Sequence, residues 1–274
     1  MIKGLTTKTS NKPGKTVAIF GGVHGNERVG VDAVRWAVEN IEPEFGTIHF
    51  VEANQQAITK NIRFIEKNLN RCFLKRDIGT SSEALRAKEL MPLLDTCDAL
   101  LDIHSSTSKE ATPFIICEND GFELAQLLDF PIISYGWDAI EPGGTDGYMF
   151  NQGKMGMCLE CGSVFDAAAQ ATRAQNSILQ FLEYFGVIST SKVTADPTPK
   201  KYIHVYKAAR KQTDEFSFAR DYADFEPLKE GKLFAKDGPE EYLAQKGDCI
   251  IFPHPDTAIG NEVFILGKEI PNQS

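Results

Sequence analysis

Three side chains that commonly bind metal ions follow two apolar runs of the sequence. His24 and Glu27 come shortly after the run VAIFGG, and His104 ends the run ALLDIH. Because the carboxyl ends of parallel strands meet at one edge of an open α/β sheet, both histidines share that edge if these strands are parallel. Two histidines and a carboxylate around zinc leave a fourth position for water, as in hydrolytic zinc sites. The alternative is a loop histidine beside a glutamate that the positive end of a helix dipole favours.

Two more carboxylates lie in or at the end of apolar runs. Asp102 precedes His104 by two residues and therefore shares its face on a strand, where it could orient a ligand or bond to nearby backbone. Glu160 lies within MCLECG, where burial is costly unless something compensates the charge. A nearby metal ion would compensate it and adjust its proton affinity to that of a general base, whereas an arginine would make it a structural ion pair.

Arg63, Asn70 and Arg71 stand out in a stretch with few apolar residues. Arginine binds carboxylates with a two-pronged geometry that lysine lacks, so these side chains can form a local anion site in an acidic protein. One guanidinium could instead stabilise an oxyanion. The alternative to a binding role is that both arginines are solvated side chains of a loop.

The apolar patterns predict the elements that must position these side chains. Thr16–Phe20 is predicted to be a strand, Gly21 and Gly22 a sharp turn, and residues from Asn26 a helix, with the next strand at Thr47–Ala53. This alternation predicts an α/β layer architecture. Further predicted elements are helices at 82–94, 121–128 and 166–185 and strands at 99–104, 114–117, 131–134 and 155–160, with 54–80 as a long loop and 141–153 as a turn-rich stretch.

A polar, proline-containing stretch at 189–200 predicts a domain boundary. We expect a hydrolase domain at 1–188 and a small β-rich C-terminal domain at 189–274, because short strands separated by glycine and proline turns dominate the second part.

Composition disfavours several classes of partner. Lys plus Arg number 29 against 38 Asp plus Glu, a net charge of −9, which disfavours nucleic acids and anionic membranes. No run approaches the roughly 18 apolar residues of a membrane helix, and no signal peptide is recognisable. We expect a cytoplasmic protein whose cysteines are reduced, including the C-x-x-C pair Cys158 and Cys161.

The motifs GGVHGNE, R-x6-NR, D-x-H and LECG occur in this order. Together they resemble the succinylglutamate desuccinylase/aspartoacylase family, a branch of the zinc carboxypeptidase-like hydrolases, over roughly residues 16–165. The resemblance implies a mixed sheet flanked by helices, followed by a small β domain that can close over the site. It implies one Zn2+ per chain, bound by His24, Glu27 and His104.

The resemblance also implies roles for the other candidates. Glu160 would be the general base acting on the zinc-bound water, and Arg63 would polarise the scissile carbonyl and stabilise the oxyanion. Asn70 and Arg71 would hold a carboxylate of the substrate. Two features depart from the aspartoacylase pattern: Phe150 occupies the position of a substrate-reading arginine, and a pocket tyrosine has no clear counterpart in the C-terminal segment.

The expected function is therefore hydrolysis of the amide bond of a small anionic N-acyl amino acid. A metallocarboxypeptidase acting on short peptides would use the same centre, and a non-catalytic metal- or ligand-binding relative is the alternative from another class. The sequence leaves open the acyl group, the amino acid, zinc against another divalent ion, and monomer against homo-oligomer.

Overall fold

The computed structural model describes residues 2–76, 78–106, 111–163, 165–196 and 198–270. A large mixed sheet carries the fold, and its strand order is β1-β3-β2-β4-β7-β5-β6-β8-β14-β13-β10, beside a smaller sheet β12-β11-β9. The strands are β1 (Leu5–Thr9), β2 (Thr16–Gly21), β3 (Thr47–Glu52), β4 (Ala99–Ser106), β5 (Phe114–Cys117), β6 (Ile132–Tyr135), β7 (Met155–Ser163), β8 (Lys201–Arg210), β9 (Ser217–Phe218), β10 (Glu226–Pro227), β11 (Leu233–Asp237), β12 (Glu240–Leu243), β13 (Asp248–Ile251) and β14 (Glu262–Ile270). The helices are α1 (Arg28–Asn40), α2 (Gln55–Lys60), α3 (Ser82–Leu94), α4 (Phe122–Leu127), α5 (Trp137–Ile140), α6 (Thr145–Phe150) and α7 (Ala167–Tyr184).

The centre of the sheet is parallel and is covered on both faces. β2 pairs in parallel with β3 and β4, and β4 pairs in parallel with β7. Helices α1 and α7 pack over one face, where Leu101 and Ile103 point into a large apolar cluster. The other face, which includes Leu100, packs against α3 and α6. Burial on both faces explains why these strands are continuous apolar runs in the sequence.

Two stretches differ from their predicted conformation. The predicted loop 54–80 contains α2 and a short 3-10 turn at Leu69–Arg71, and the predicted turn-rich stretch 141–153 contains α6. Both helices are short, and single turns carry too few apolar residues for a 3.6-residue period to emerge. The side chain of Asn54 caps α2 by accepting a hydrogen bond from the backbone N–H of Ala57.

The C-terminal strands form the expected antiparallel β unit, but most of them also extend the main sheet. β8 pairs in parallel with β6 and antiparallel with β14, which brings the C-terminal strands beside the α/β part. An aromatic cluster fills this junction, where the ring centroids of Phe114 and Phe225 lie 4.9 Å apart. The mixed α/β sheet with a small C-terminal β unit is confirmed, whereas the boundary at residue 189 stays a prediction. In the described residues, no helix has both the length and the apolar character needed to span a bilayer.

Candidate metal centre and substrate site

Both predicted histidines lie at the carboxyl ends of parallel central strands. His24 follows β2, and His104 lies near the carboxyl end of β4. Glycines allow the start of α1 to approach these strand ends. A β-carbon on Gly21 would lie 2.1 Å from the carbonyl oxygen of Gly30, and one on Gly30 would lie 2.2 Å from that of Ile103. This close approach carries the residue before α1, Glu27, to the two imidazoles.

His24, Glu27 and His104 converge as the sequence predicts. Their potential ligand atoms all lie within 4.8 Å of one another, and all three side chains are buried. Glu27 Oε1 lies 2.7 Å from His24 Nδ1, and Glu27 Oε2 lies 3.0 Å from His104 Nδ1. Arg63 Nη1 donates to Glu27 Oε1 at 2.9 Å, and the backbone N–H of Ser105 donates to Oε2 at 3.2 Å.

The contacts of His24 call for a proton or a metal ion between its ring and Glu27. Asn68 Oδ1 lies 2.9 Å from His24 Nε2 and also accepts from the backbone N–H of Asn70. Because that atom is an acceptor, Nε2 carries a hydrogen, and a neutral His24 presents only a lone pair at Nδ1. A lone pair 2.7 Å from a carboxylate oxygen is repulsive unless a proton or a metal ion lies between them. Two imidazoles and a carboxylate are a donor set suited to zinc, so the residues present fit such an ion.

The surrounding charges also favour a cation at this position. Burial acts to lower the pKa of His104, but the Asp102 carboxylate and Glu27 hold that pKa well above its ordinary value. Burial acts to raise the pKa of Glu27, yet the two histidines hold it well below its usual range. Asp102 Oδ2 lies 3.1 Å from His104 Nε2 and accepts a 2.6 Å hydrogen bond from the Thr145 hydroxyl. Asp102 is therefore placed to orient the His104 ring, as outer carboxylates do in metal sites.

A buried carboxylate holds the loop that carries Arg63 and Asn68. Glu83, on the first turn of α3, accepts hydrogen bonds from three consecutive backbone N–H groups, those of residues 65, 66 and 67, at 2.6, 3.2 and 3.1 Å. It also accepts from Asn54 Nδ2 at 3.2 Å. These bonds hold the pKa of Glu83 below its usual value despite its burial. Glu83 therefore fixes the path of the chain between Arg63 and Asn68.

Replacing this carboxylate should loosen the loop without touching the metal ligands. We expect Glu83→Ala to destabilise the protein by about 1–3 kcal/mol, because three backbone donors lose their acceptor. We also expect weaker metal binding, since Asn68 no longer fixes the His24 ring. Thermal unfolding and a competitive chelator titration measure the two effects. The control is Glu89→Ala, an exposed α3 carboxylate that pairs with Arg86; equal losses of metal affinity in both variants would contradict the positioning role.

Glu160 lies on the same face of the sheet as His104. The two residues are register partners in the parallel β4–β7 pair, and Phe114 is the register partner of Glu160 on its other side. Burial against this apolar wall raises the pKa of Glu160 to about 8, with His104 and Arg63 opposing the rise and Glu27 and Asp224 adding to it. Glu160 makes no ion pair with an arginine among the described residues, which removes the structural alternative there.

Asn70 and Arg71 follow Asn68 closely in the chain, and their side chains already make hydrogen bonds within the protein. The side-chain oxygen of Asn70 accepts from the backbone N–H of Thr145 at 3.2 Å. Arg71 Nε donates to Glu141 Oε2 at 2.6 Å, and Arg71 Nη1 donates to the Asn70 carbonyl oxygen at 2.7 Å. Arg71 thus has a fixed orientation, and its side chain remains 31% exposed.

Several residues near the site were not predicted from the sequence. Asn68 lies in the polar stretch that carries Arg63 and Asn70, but no sequence signal predicts its bond to His24. Asp224 adds to the raised pKa of Glu160, and burial, with a smaller effect of Arg63, lowers the pKa of His254. Asp224 and His254 both belong to the C-terminal segment. Their place near the site depends on long-range packing that no local motif encodes.

Family comparisons cover most of the chain. Residues 13–185 match the model described as the succinylglutamate desuccinylase/aspartoacylase catalytic domain, and residues 201–269 match the barrel-sandwich hybrid domain of the same group.

Individual proteins agree with this match. The chain is 26% identical to a probable aspartoacylase of Nostoc sp., covering 86% of this chain and 89% of that protein. It is 30% identical to an N-acyl-aromatic-L-amino acid amidohydrolase (carboxylate-forming) of Rattus norvegicus, covering 89% and 86%. The fold resembles the crystal structure of succinylglutamate desuccinylase from Vibrio cholerae with a TM-score of 0.80 at 19% identity, covering 97% of this chain and 86% of that one.

Proposed function

Because the chain belongs to the succinylglutamate desuccinylase/aspartoacylase family, we propose that it is a zinc-dependent deacylase that hydrolyses the amide bond of a small N-acyl amino acid. The observation that carries the proposal is the buried convergence of His24, Glu27 and His104 with Glu160 on the same face of the sheet. These three residues would hold the ion. When bound, zinc supplies a Lewis acid and lowers the pKa of a water molecule toward neutrality.

Glu160 moves the proton in this proposal. As a carboxylate it accepts a proton from the attacking water, and as a carboxylic acid it delivers that proton to the nitrogen of the leaving amine. The pKa of Glu160, raised to about 8 by burial, would fall toward neutrality beside a cation held by the neighbouring ligands, so that both protonation states would be accessible. Buried Phe114, its register partner on β5, gives this half-buried carboxylate an apolar neighbour on one side.

The arginines act on the charges of the substrate. Arg63 is 48% exposed and is held against Glu27; in this proposal its guanidinium stabilises negative charge on the carbonyl oxygen. Arg71 binds the carboxylate of the amino acid, with its orientation fixed by Glu141 and Asn70. Asn70 ties this part of the chain to α6, because its side-chain oxygen accepts a hydrogen bond from the first backbone N–H of that helix.

A panel of substrates tests the proposal directly. Metal content is first measured on the purified chain, which is then loaded with zinc. It is assayed on N-acetyl-L-alanine, N-acetyl-L-aspartate, N-acetyl-L-phenylalanine, N-succinyl-L-glutamate and short peptides. We expect release of a free amino acid from at least one N-acyl compound and loss of that activity after chelation. Cleavage of peptides alone would favour a carboxypeptidase, and zinc binding without any cleavage would favour a binding protein.

A further inference from the structure

Arg210 comes from the last residue of β8 in the C-terminal part and reaches into the α/β part. Its Nη2 donates to Glu141 Oε1, while Arg71 Nε donates to the other oxygen of the same carboxylate. Glu141 is 6% exposed as a residue, so both guanidiniums are fixed by a buried acceptor. Their own side chains remain 31% and 48% exposed for Arg71 and Arg210, which leaves N–H groups accessible to a ligand.

The charges of this unit do not cancel. Two guanidiniums share one carboxylate, so the Arg71–Glu141–Arg210 unit keeps one positive charge. Glu262 is the register partner of Arg210 on β14 and lies near this unit. Burial, together with Glu141, raises the pKa of Glu262 to about 7, against the opposing effect of Arg71, Arg210 and Arg63. Burial thus opposes the ionisation of Glu262, so that this carboxyl offsets the positive charge of the unit less than a solvent-exposed carboxylate would.

Arg210 and Arg71 come from distant segments of the chain and meet at one buried carboxylate. Arg210 supplies a second guanidinium from another element, beside Arg71. We propose that Arg210 and Arg71 together bind the substrate's carboxylate, with Arg210 as a specificity-determining residue; this inference depends on the proposed function.

The test compares acids with amides in protein that cannot turn them over. Glu160→Gln protein loaded with zinc is titrated by calorimetry with each N-acetyl amino acid of the panel and with its α-carboxamide. Binding through the two guanidiniums predicts that the acid binds more tightly than the amide. Adding Arg210→Met should reduce this preference by about 10- to 100-fold, the range for a lost hydrogen bond to a charged group. Adding Arg71→Ala should reduce it as well.

Two further variants separate recognition from support of Glu141. Arg210→Lys keeps a positive charge beside the buried carboxylate but loses the two-pronged donor geometry, so it should fold normally and still lose part of the preference. Lys207→Met removes another β8 cation, one that lies over the Tyr242 ring, and should leave the preference unchanged.

Each outcome decides the inference. If Arg210→Met and Arg210→Lys weakened acid binding and amide binding equally, Arg210 would act only as a counter-ion of Glu141. That result would overturn the proposal. So would the lack of any acid preference in the Glu160→Gln protein. If turnover by the unsubstituted enzyme fails while the acid preference is present and depends on Arg210, the carboxylate site stands and the deacylase assignment falls.

Discussion

Glu160→Gln is expected to lower kcat by about 10²- to 10⁴-fold while the bound metal stays near one equivalent. The size follows from the usual contribution of a positioned general base. Glutamine has nearly the same shape and can still hydrogen-bond, but it cannot accept the proton of the attacking water. Steady-state kinetics on the best N-acyl substrate and metal analysis of the same preparation measure the two quantities.

A matched control separates lost chemistry from lost structure. Asp224 also lies near this carboxylate, and its Oδ1 accepts from the backbone N–H of Phe252 at 2.8 Å. Asp224→Asn keeps a side-chain oxygen for that bond and should change kcat far less than Glu160→Gln. A Glu160→Gln enzyme with near-normal kcat would remove Glu160 from the role of base.

The metal-free protein allows the raised pKa of Glu160 to be tested without a substrate. Burial raises the pKa of this carboxyl from 4.5 to about 8 in the folded chain. A raised folded-state pKa gives stability that is fully present below the unfolded value and is lost as pH rises through the folded value. The free energy of unfolding should therefore fall by roughly 3 kcal/mol from this group between pH 6 and 9. Urea unfolding of chelated Glu160→Gln protein should lack this part of the pH dependence.

The parts of the fold with strong local patterns could be predicted from the sequence. β4, β5, α3 and α7 carry continuous apolar runs or long helical periods, and their predicted and observed bounds agree to within about two residues, the usual uncertainty of element ends. α1 begins at Arg28 rather than Asn26, because the chain there is held in the turn that presents His24 and Glu27.

The residues around the metal ligands were harder to predict because they depend on packing between distant segments. His24, Glu27 and His104 could be grouped because strand ends of a parallel sheet share an edge. No such rule links Glu141 to Arg210, which are 69 residues apart in sequence. Their contact requires β8 to pair with β6. The Arg71–Glu141–Arg210 unit therefore depends on the way the C-terminal strands extend the sheet. Buried Glu83 was likewise read only as part of a helix.

Glu27→Gln is expected to have the largest effect on metal binding. Glu27 touches both imidazoles, Arg63 and the backbone N–H of Ser105. Loss of an outer-shell partner costs about 10- to 100-fold in metal affinity, so loss of a direct carboxylate ligand should exceed that range. The glutamine also loses the negative charge that favours a cation between the two Nδ1 atoms. Competition with a chromophoric chelator measures the zinc Kd.

The control for this substitution is a carboxylate at the amino end of β4, the strand whose carboxyl end carries His104. Asp98 precedes β4 and accepts from Lys15 Nζ at 2.9 Å and from the backbone N–H of Thr16 at 2.8 Å. Asp98→Asn removes a charge of the same sign but should leave the zinc Kd unchanged, because parallel strands place that end of β4 away from the ligands. If Glu27→Gln bound zinc as tightly as Asp98→Asn, then the ion would not lie between His24, Glu27 and His104, and the hydrolytic centre would have to be sought elsewhere.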